Sequence, residues 1–376
     1  MEKQRKKEGE LLKKKIGWML CLLVLLVICP ISAQAVSAQG AVLLDGDSGQ
    51  VLFEQNADAV LPMASTTKIM TALVAIEMGD LDRTYTVKDA YTRTEGSSMY
   101  LKAGEKLTIR ETLYGLLLMS GNDAALAIAG ECGGTEIFVA AMNQKAEALG
   151  LSHTHFENPS GLDGETHHTT ARELGQLTAY AMQNPVFAQI VSTKNYTENG
   201  RSMVNHNKLL RLYPDAIGVK TGFTKKCGRC LVSAARRNDR TLICVTLNDP
   251  NDWQDHMNLY ETFFAKYQPV TLHRAGESLR QVQVIGGQTS KVSLCAAHDC
   301  QAFLTEEEKN SLKTQVIGEK NIYALVKKGE IYGKIQYIVV GHVICQDDLY
   351  FNKTIQPILE EKSWWQRLQD WMKKLV

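Results

Sequence analysis

Apolar positions recur along this chain with two periods, and the switches between them divide it. Ile69, Met70, Leu73, Val74 and Ile76 fall at near-helical spacing, with Gly79 as a stop. Thr108-Ile109-Arg110-Glu111 is a capping box ahead of a helix whose apolar face includes Leu113, Leu116 and Leu117. That helix runs into Ser120-Gly121-Asn122, where Gly121 breaks the pattern, and Asp123 is placed to cap a second helix through Leu126 and Ile128. A third helix is expected over about 135–149, closed by Gly150, and a fourth over about 170–184, stopped by Pro185. Short strand-like runs at 41–44 and 51–54 flank a turn cluster and predict a hairpin. Three further strands are predicted at 216–221, 230–235 and 241–247, then a helix near 255–266. Residues 85–108 read as irregular, with little strand.

From about residue 268 the character changes. Short alternating runs at 281–285, 291–295, 322–326, 335–340 and 343–345 are punctuated by glycines, which predicts a small all-β domain, a sandwich. The end differs again. Trp364, Trp365, Leu368, Trp371, Met372 and Leu375 share one helical face, with Lys362, Arg367, Lys373 and Lys374 supplying a cationic side. Trp favours the membrane–water boundary, so this amphipathic helix is expected to lie on a membrane surface rather than dock on its own domain.

At the start, seven basic residues stand among the first fifteen, and an apolar run from Ile16 to Cys29 follows. Then come the small-residue triplets Ala33-Gln34-Ala35 and Ser37-Ala38-Gln39. This is the pattern of a secretory signal peptide, shorter than the ~20 residues of a spanning helix, with an uncleaved anchor as the alternative. The expected division is therefore signal peptide 1–38, first domain 39–267, β domain 268–358 and amphipathic anchor 359–376. The protein is expected to be exported to the outer face of the cytoplasmic membrane.

The whole chain of 376 residues has a net charge of +1, which argues against a nucleic-acid partner. Removing the leader takes Cys21 and Cys29 and leaves an odd number of cysteines, not a disulfide framework. Cys295 and Cys300 flank a strand end and offer one bridge in an oxidising compartment, with burial as small hydrophobes the favoured reading for most of the cysteines. Cys227 and Cys230 form a pair with no assigned role, and the remaining cysteines read as small buried hydrophobes. The neighbouring pairs His153 with His155 and His167 with His168 read as loop and surface residues rather than metal ligands.

Ser65-x-x-Lys68 at a helix start brings an amine within reach of a hydroxyl. A serine alcohol is a weak nucleophile until a base takes its proton, and a desolvated lysine can do so. Alone, this reads as an N-cap followed by a surface lysine. Two later pieces change that: Ser120-Gly121-Asn122 and Lys220-Thr221-Gly222, 55 and then 100 residues further along. Together the three are the established motif set of penicillin-binding proteins and class A β-lactamases.

The chain resembles the low-molecular-mass penicillin-binding proteins of the D-alanyl-D-alanine carboxypeptidase type. Residues 61–64, 97–101, 157–162 and 220–224 add to the likeness, as does the layout of β domain and tail. The resemblance implies an α+β transpeptidase-like domain, an antiparallel sheet flanked by helices with a helical subdomain, then the β sandwich. It implies that Ser65 attacks the carbonyl between the last two D-alanines of a peptidoglycan stem peptide and that Lys68 is its base. Ser120 would pass a proton to the departing D-alanine, while Asn122 orients Lys68 and holds the substrate amide. Lys220 and Thr221 would meet the terminal carboxylate on a strand continued by Gly222 and Phe223. The backbone N–H groups of Ser65 and Phe223 would form the oxyanion hole. β-Lactam antibiotics would acylate the same serine, and no metal or other cofactor is needed. No Glu-x-x-Leu-Asn follows the middle motif, which lowers the β-lactamase alternative. A D,D-endopeptidase and an inactive cell-wall-binding scaffold are the others. No arginine stands out for the terminal carboxylate.

Overall fold

The structure, a computed structural model, describes residues 36–358 together with Trp365 and Trp371. The expected leader lies outside them up to residue 35. The amphipathic tail also lies outside them, except that Trp365 and Trp371 are helical and exposed.

Five strands form one antiparallel sheet: β1 (Gly40–Asp45), β2 (Val51–Gln55), β3 (Ala216–Thr224), β4 (Gly228–Arg237) and β5 (Arg240–Leu247), in the order β2-β1-β5-β4-β3. Every residue of β1 is buried. Val42 and Leu44 enter one apolar cluster, while Ala41 and Leu43 enter a second on the opposite face. Both faces are covered, so this strand reads as a continuous apolar run instead of an alternating one.

The larger cluster holds α1 (Lys68–Glu77), α2 (Ile109–Leu118), α3 (Asn122–Glu131), α4 (Thr135–Ala148), α5 (Ala171–Met182) and α6 (Pro185–Ser192). The other face of the sheet is closed by α7 (Asp252–Phe264) through Leu259, Tyr260 and Phe264. Helix α1 is buried on every side from Lys68 to Ile76. A helix in that position buries whatever it carries, its lysine included.

The capping box at Thr108 forms as expected, with Glu111 N donating to Thr108 Oγ1 at 3.1 Å. Pro185 does more than stop a helix. It opens α6 at the first turn, with Asn184 Oδ1 accepting the Val186 amide at 3.0 Å, because a missing N–H costs nothing at that position. The region read as irregular holds a short hairpin, Thr84–Thr86 with Lys106–Thr108.

The second part is all-β, as expected. Strands β6 (Gln268–His273), β7 (Ser278–Ile285), β8 (Lys291–Ala296), β9 (Cys300–Leu304), β10 (Lys313–Gly318), β11 (Ile322–Tyr323), β12 (Ile331–Val339) and β13 (His342–Phe351) make two sheets. One has six strands in the order β10-β12-β13-β8-β7-β11, and the other pairs β6 with β9. Cys300 bonds to Cys345 and leaves Cys295 a buried free thiol, so the bridge runs between strands instead of across the short turn expected from spacing. Arg240 at the start of β5 ties the two parts together. Its Nη2 donates to Asp45 Oδ2 at 2.6 Å and to Glu308 Oε1 at 2.9 Å, and the guanidinium lies over the Tyr267 ring.

Candidate active site

The nucleophile motif begins on a 3₁₀ turn, Ala64–Thr67, that leads straight into α1. Three contacts fix this turn. Ala64 adopts φ +47°, and Gly161 packs so tightly against it that a Cβ at position 161 would collide with the Ala64 carbonyl. From β3, a Cβ at Gly222 would stand 3.2 Å from the Ser65 amide nitrogen. Glycine at both places lets loop and strand close on the serine from two sides.

His167 makes the third contact. Its Nδ1 accepts the Glu157 amide at 3.0 Å, so in the neutral ring Nε2 carries the proton and donates to Thr67 Oγ1 at 2.7 Å. Thr67 in turn donates to the Ala64 carbonyl at 2.8 Å. His167 is therefore no surface residue, being 4% exposed. Burial holds its pKa down, from the ordinary 6.5 to about 4.

A pH prediction follows from this shift. Below pH 6.5 the unfolded chain protonates His167 more readily than the folded one. Stability should fall between pH 6.5 and about 4, by on the order of 3 kcal/mol from this group alone. Urea midpoints measured across that range, wild type against His167→Gln, check it. The variant should show a shallower acid slope, and parallel curves would contradict the assignment.

Lys68 has no exposed surface. Its Nζ lies 2.9 Å from Ser65 Oγ, 2.7 Å from Asn122 Oδ1 and against the Ser160 carbonyl oxygen. Burial first, then the charge of Lys220, hold its pKa well below the ordinary lysine value, with Asp123 pulling the other way. The neighbours match the neutral form. A neutral amine has two N–H bonds, here taken by two carbonyl-type oxygens, and one lone pair, left for the Ser65 hydroxyl proton.

Lys220 is also buried, and desolvation brings its pKa down to about 7. Its Nζ donates to Ser120 Oγ at 3.0 Å and to the Thr221 carbonyl at 2.8 Å. The three motifs therefore meet: Ser65 with Lys68, Lys68 with Asn122, and Lys220 with Ser120. Thr221, Gly222 and Phe223 continue along β3 beside them, and the Phe223 side chain is exposed.

The middle motif is built by Asp123. This residue does not cap α3 as the sequence suggested. Its carboxylate accepts the Ser98 hydroxyl at 2.6 Å and the Met99 and Leu101 amides at 2.9 and 3.0 Å. Those bonds hold the 97–101 segment on the start of α3. A Cβ at position 121 would sit 2.7 Å from Asp123 Oδ1, which explains glycine there. Asn122 is oriented by two bonds of its own, from its amide to the Ser97 carbonyl at 2.8 Å and from Nδ2 to the Glu95 carbonyl at 2.6 Å.

A cleft of about 320 Å³ opens over Ser65 and Ser120. His206, Lys208, Arg229 and Trp253 line its far wall, and sequence reasoning passed over all four because they belong to no motif. Arg229 is held by Asp252, with Nη2 to Oδ1 at 2.6 Å, and its guanidinium faces the Trp253 ring. Cys227, in the β3–β4 turn, and Cys230, on β4, are buried thiols, and burial pushes both up, Cys230 to about 12. They stay protonated at neutral pH.

A serine and a buried amine at the entry of a core helix, with a second lysine on the neighbouring strand, make a candidate serine active site. Comparison with known proteins narrows this. A family described as D-alanyl-D-alanine carboxypeptidase matches residues 29–251, and one described as penicillin-binding protein 5, C-terminal domain, matches residues 267–357. The D-alanyl-D-alanine carboxypeptidase DacF of Bacillus subtilis is 31% identical over 332 residues, covering 84% of this chain and 85% of its own. Penicillin-binding protein 5 of Haemophilus influenzae superposes with a TM-score of 0.63 at 27% identity, over 87% of this chain and 99% of that one. The Streptomyces K15 DD-transpeptidase gives a TM-score of 0.60 at 34% identity, over 62% of this chain and all of its own. The chain belongs to the D-alanyl-D-alanine carboxypeptidase family.

Proposed function

We propose that this protein removes the terminal D-alanine from peptidoglycan stem peptides through an acyl-enzyme on Ser65. The observation that carries the assignment of residues is the set of neighbours around Lys68: two acceptors and one hydroxyl, the set a neutral amine requires. Lys68 takes the Ser65 proton as Oγ attacks the peptide carbonyl. The backbone N–H groups of Ser65 and Phe223 receive the oxyanion, each donor contributing ~3 kcal/mol. Ser120 hands its proton to the leaving D-alanine nitrogen and takes one from the Lys220 ammonium bonded to it; water then attacks the Ser65 ester, releasing the shortened peptide as its acid and returning the proton to Ser65 Oγ. Asn122 holds Lys68 and the substrate amide. The substrate lies along β3 as an added strand, its terminal carboxylate against Lys220 and Thr221. That carboxylate raises the Lys220 pKa when it arrives, so the lysine is charged when it binds. Lys208 adds positive charge to the same cleft, where Arg229 is paired with Asp252. Penicillins enter by the same chemistry, since their lactam carbonyl takes the place of the scissile amide.

The test is release of free D-alanine. A peptide ending in D-Ala-D-Ala should yield it, and the same peptide with an amidated C-terminus should react at least tenfold more slowly. Equal rates would remove the carboxylate from the account.

We read this chain as exported to the outer face of the cytoplasmic membrane and held there by the Trp–Lys helix of the tail. Deleting residues 364–376 should move the mature enzyme to the soluble fraction with unchanged D-alanine release. A truncated protein that still sediments with membranes contradicts the anchor.

A further inference from the structure

Two aspartates meet where the described chain begins. Asp249, in the loop after β5, is fully buried, and Asp255, in the first turn of α7, is 8% exposed. Both carboxylates point at Ser37. Ser37 Oγ lies 2.5 Å from Asp249 Oδ1 and 2.9 Å from Asp255 Oδ2, with one hydroxyl proton between them, and its amide donates to Asp255 Oδ2 at 2.6 Å. The Asn251 amide also serves Asp249 Oδ1, at 3.0 Å. Asp249 Oδ2 lacks a hydrogen bond of good geometry, its carboxylate being eased only by the nearby Thr246 side chain, and no side-chain cation pairs with either aspartate among the described residues. Burial and the neighbouring Asp255 push the Asp249 carboxyl up. Adjacent buried carboxylates with an unmet oxygen lack a counter-ion.

The segment in front of β1 is built into the fold. Val36 and Ala38 are 7% and 5% exposed and share a core cluster with Leu43, Leu259 and Tyr260. Gln55 Nε2 donates to both of their carbonyls, at 3.1 and 2.8 Å. Cleavage after Ala38 would discard these contacts. It would also leave both aspartates without their contacts to the Ser37 hydroxyl and amide. Ala33-Gln34-Ala35 offers the other small-residue site, and cutting there keeps every one of them.

We propose that the leader is removed between Ala35 and Val36, and that the α-ammonium so created is the missing counter-ion of the Asp249–Asp255 pair. This rests on the reading that the protein is exported. A leader endopeptidase hydrolyses the bond. Water gives OH to the Ala35 carbonyl and a proton to the Val36 nitrogen, which takes a second proton to become an ammonium. That nitrogen is one residue from the amide already bonded to Asp255, roughly 3–4 Å away by backbone geometry. An α-amine ordinarily titrates near 7.7–8.0, and two carboxylates beside it favour its charged form. Processing would then complete the packing of the sheet's helix-covered face as well as release the enzyme.

Two measurements test this, neither of which depends on the catalytic assignment. N-terminal sequencing and intact mass of the exported protein should give a chain starting at Val36. A start at Gln39 or a retained leader overturns the proposal. Next, the mature chain is compared with one carrying a single glycine before Val36. The extension should lower Tm by about 2–4 °C, and the difference should vanish when both chains also carry Asp249→Asn. Equal Tm values for the first pair, or an unchanged difference with Asp249→Asn, overturn the counter-ion role. D-Alanine release should be the same in all four proteins, so loss of the carboxypeptidase reading would show separately.

Discussion

Ser65→Ala should leave a folded protein that neither binds penicillin covalently nor releases D-alanine, with kcat reduced on the order of 10⁴-fold or more. The change deletes one oxygen at a half-exposed position whose hydrogen-bond partner is Lys68. Its stability cost should stay near 1 kcal/mol, the usual size of one such bond. Everything else in the cleft remains, including Lys220, Asn122 and the backbone donors, so substrate should still bind. Fluorescent-penicillin labelling followed by denaturing electrophoresis separates covalent from reversible binding. Labelling of Ser65→Ala at the wild-type rate would move the nucleophile elsewhere, with Ser120 in the same cleft as the next candidate.

The second large effect is expected at Lys68. Lys68→Arg keeps donors for Asn122 Oδ1 and the Ser160 carbonyl but cannot lose a proton near neutral pH, so Ser65 has no base. Acylation should fall about 10³-fold, within the usual range for general-base catalysis. A guanidinium is bulky for a site with no exposed surface, so Lys68→Met serves as the second variant. It is uncharged, fits an apolar helix and also lacks a base. Both should be acylated slowly, and Met should fold better than Arg because burying it carries no charge-desolvation cost, the unmet Asn122 Oδ1 and Ser160 carbonyl being its smaller penalty. Retention of acylation within tenfold in Lys68→Met would sink the base assignment.

The same argument gives a sign for pH. Reaction needs neutral Lys68, so the acylation rate should drop as pH falls through its lowered pKa, well below 10.5. An ordinary exposed lysine would instead confine activity to strongly alkaline solution.

How far these results were visible in the sequence differs from element to element. Local rules read the strands and most helices of the first domain well. Capping chemistry at Thr108, the break at Gly121 and the two-sided burial of β1 each leave a mark within a few residues. Pro185 misled because a helix stop and a helix start look alike until the N-cap Asn184 is counted with it. The three motifs were legible, yet the physics that makes them work was not. Lys68 owes its depressed pKa to α1 being enclosed on all sides and to Lys220, 152 positions away in the chain. Asp123, His167 and the Ser160 carbonyl belong to no recurring pattern. Each is defined by a partner brought in from a distant segment: the 97–101 loop, the nucleophile turn and the base itself. The Cys300–Cys345 bridge was missed for the same reason, since β9 and β13 meet only in the folded domain.

The central claim is that Lys68 is a neutral amine in the resting enzyme, poised against Ser65. NMR titration of the enzyme labelled at lysine side chains measures this most directly, with Lys68→Met identifying the signal. The account predicts one lysine that gives up its proton well below the ordinary lysine range, with a second, Lys220, titrating at about 7. A Lys68 signal that remains protonated up to the ordinary lysine range, near 10.5, would contradict it.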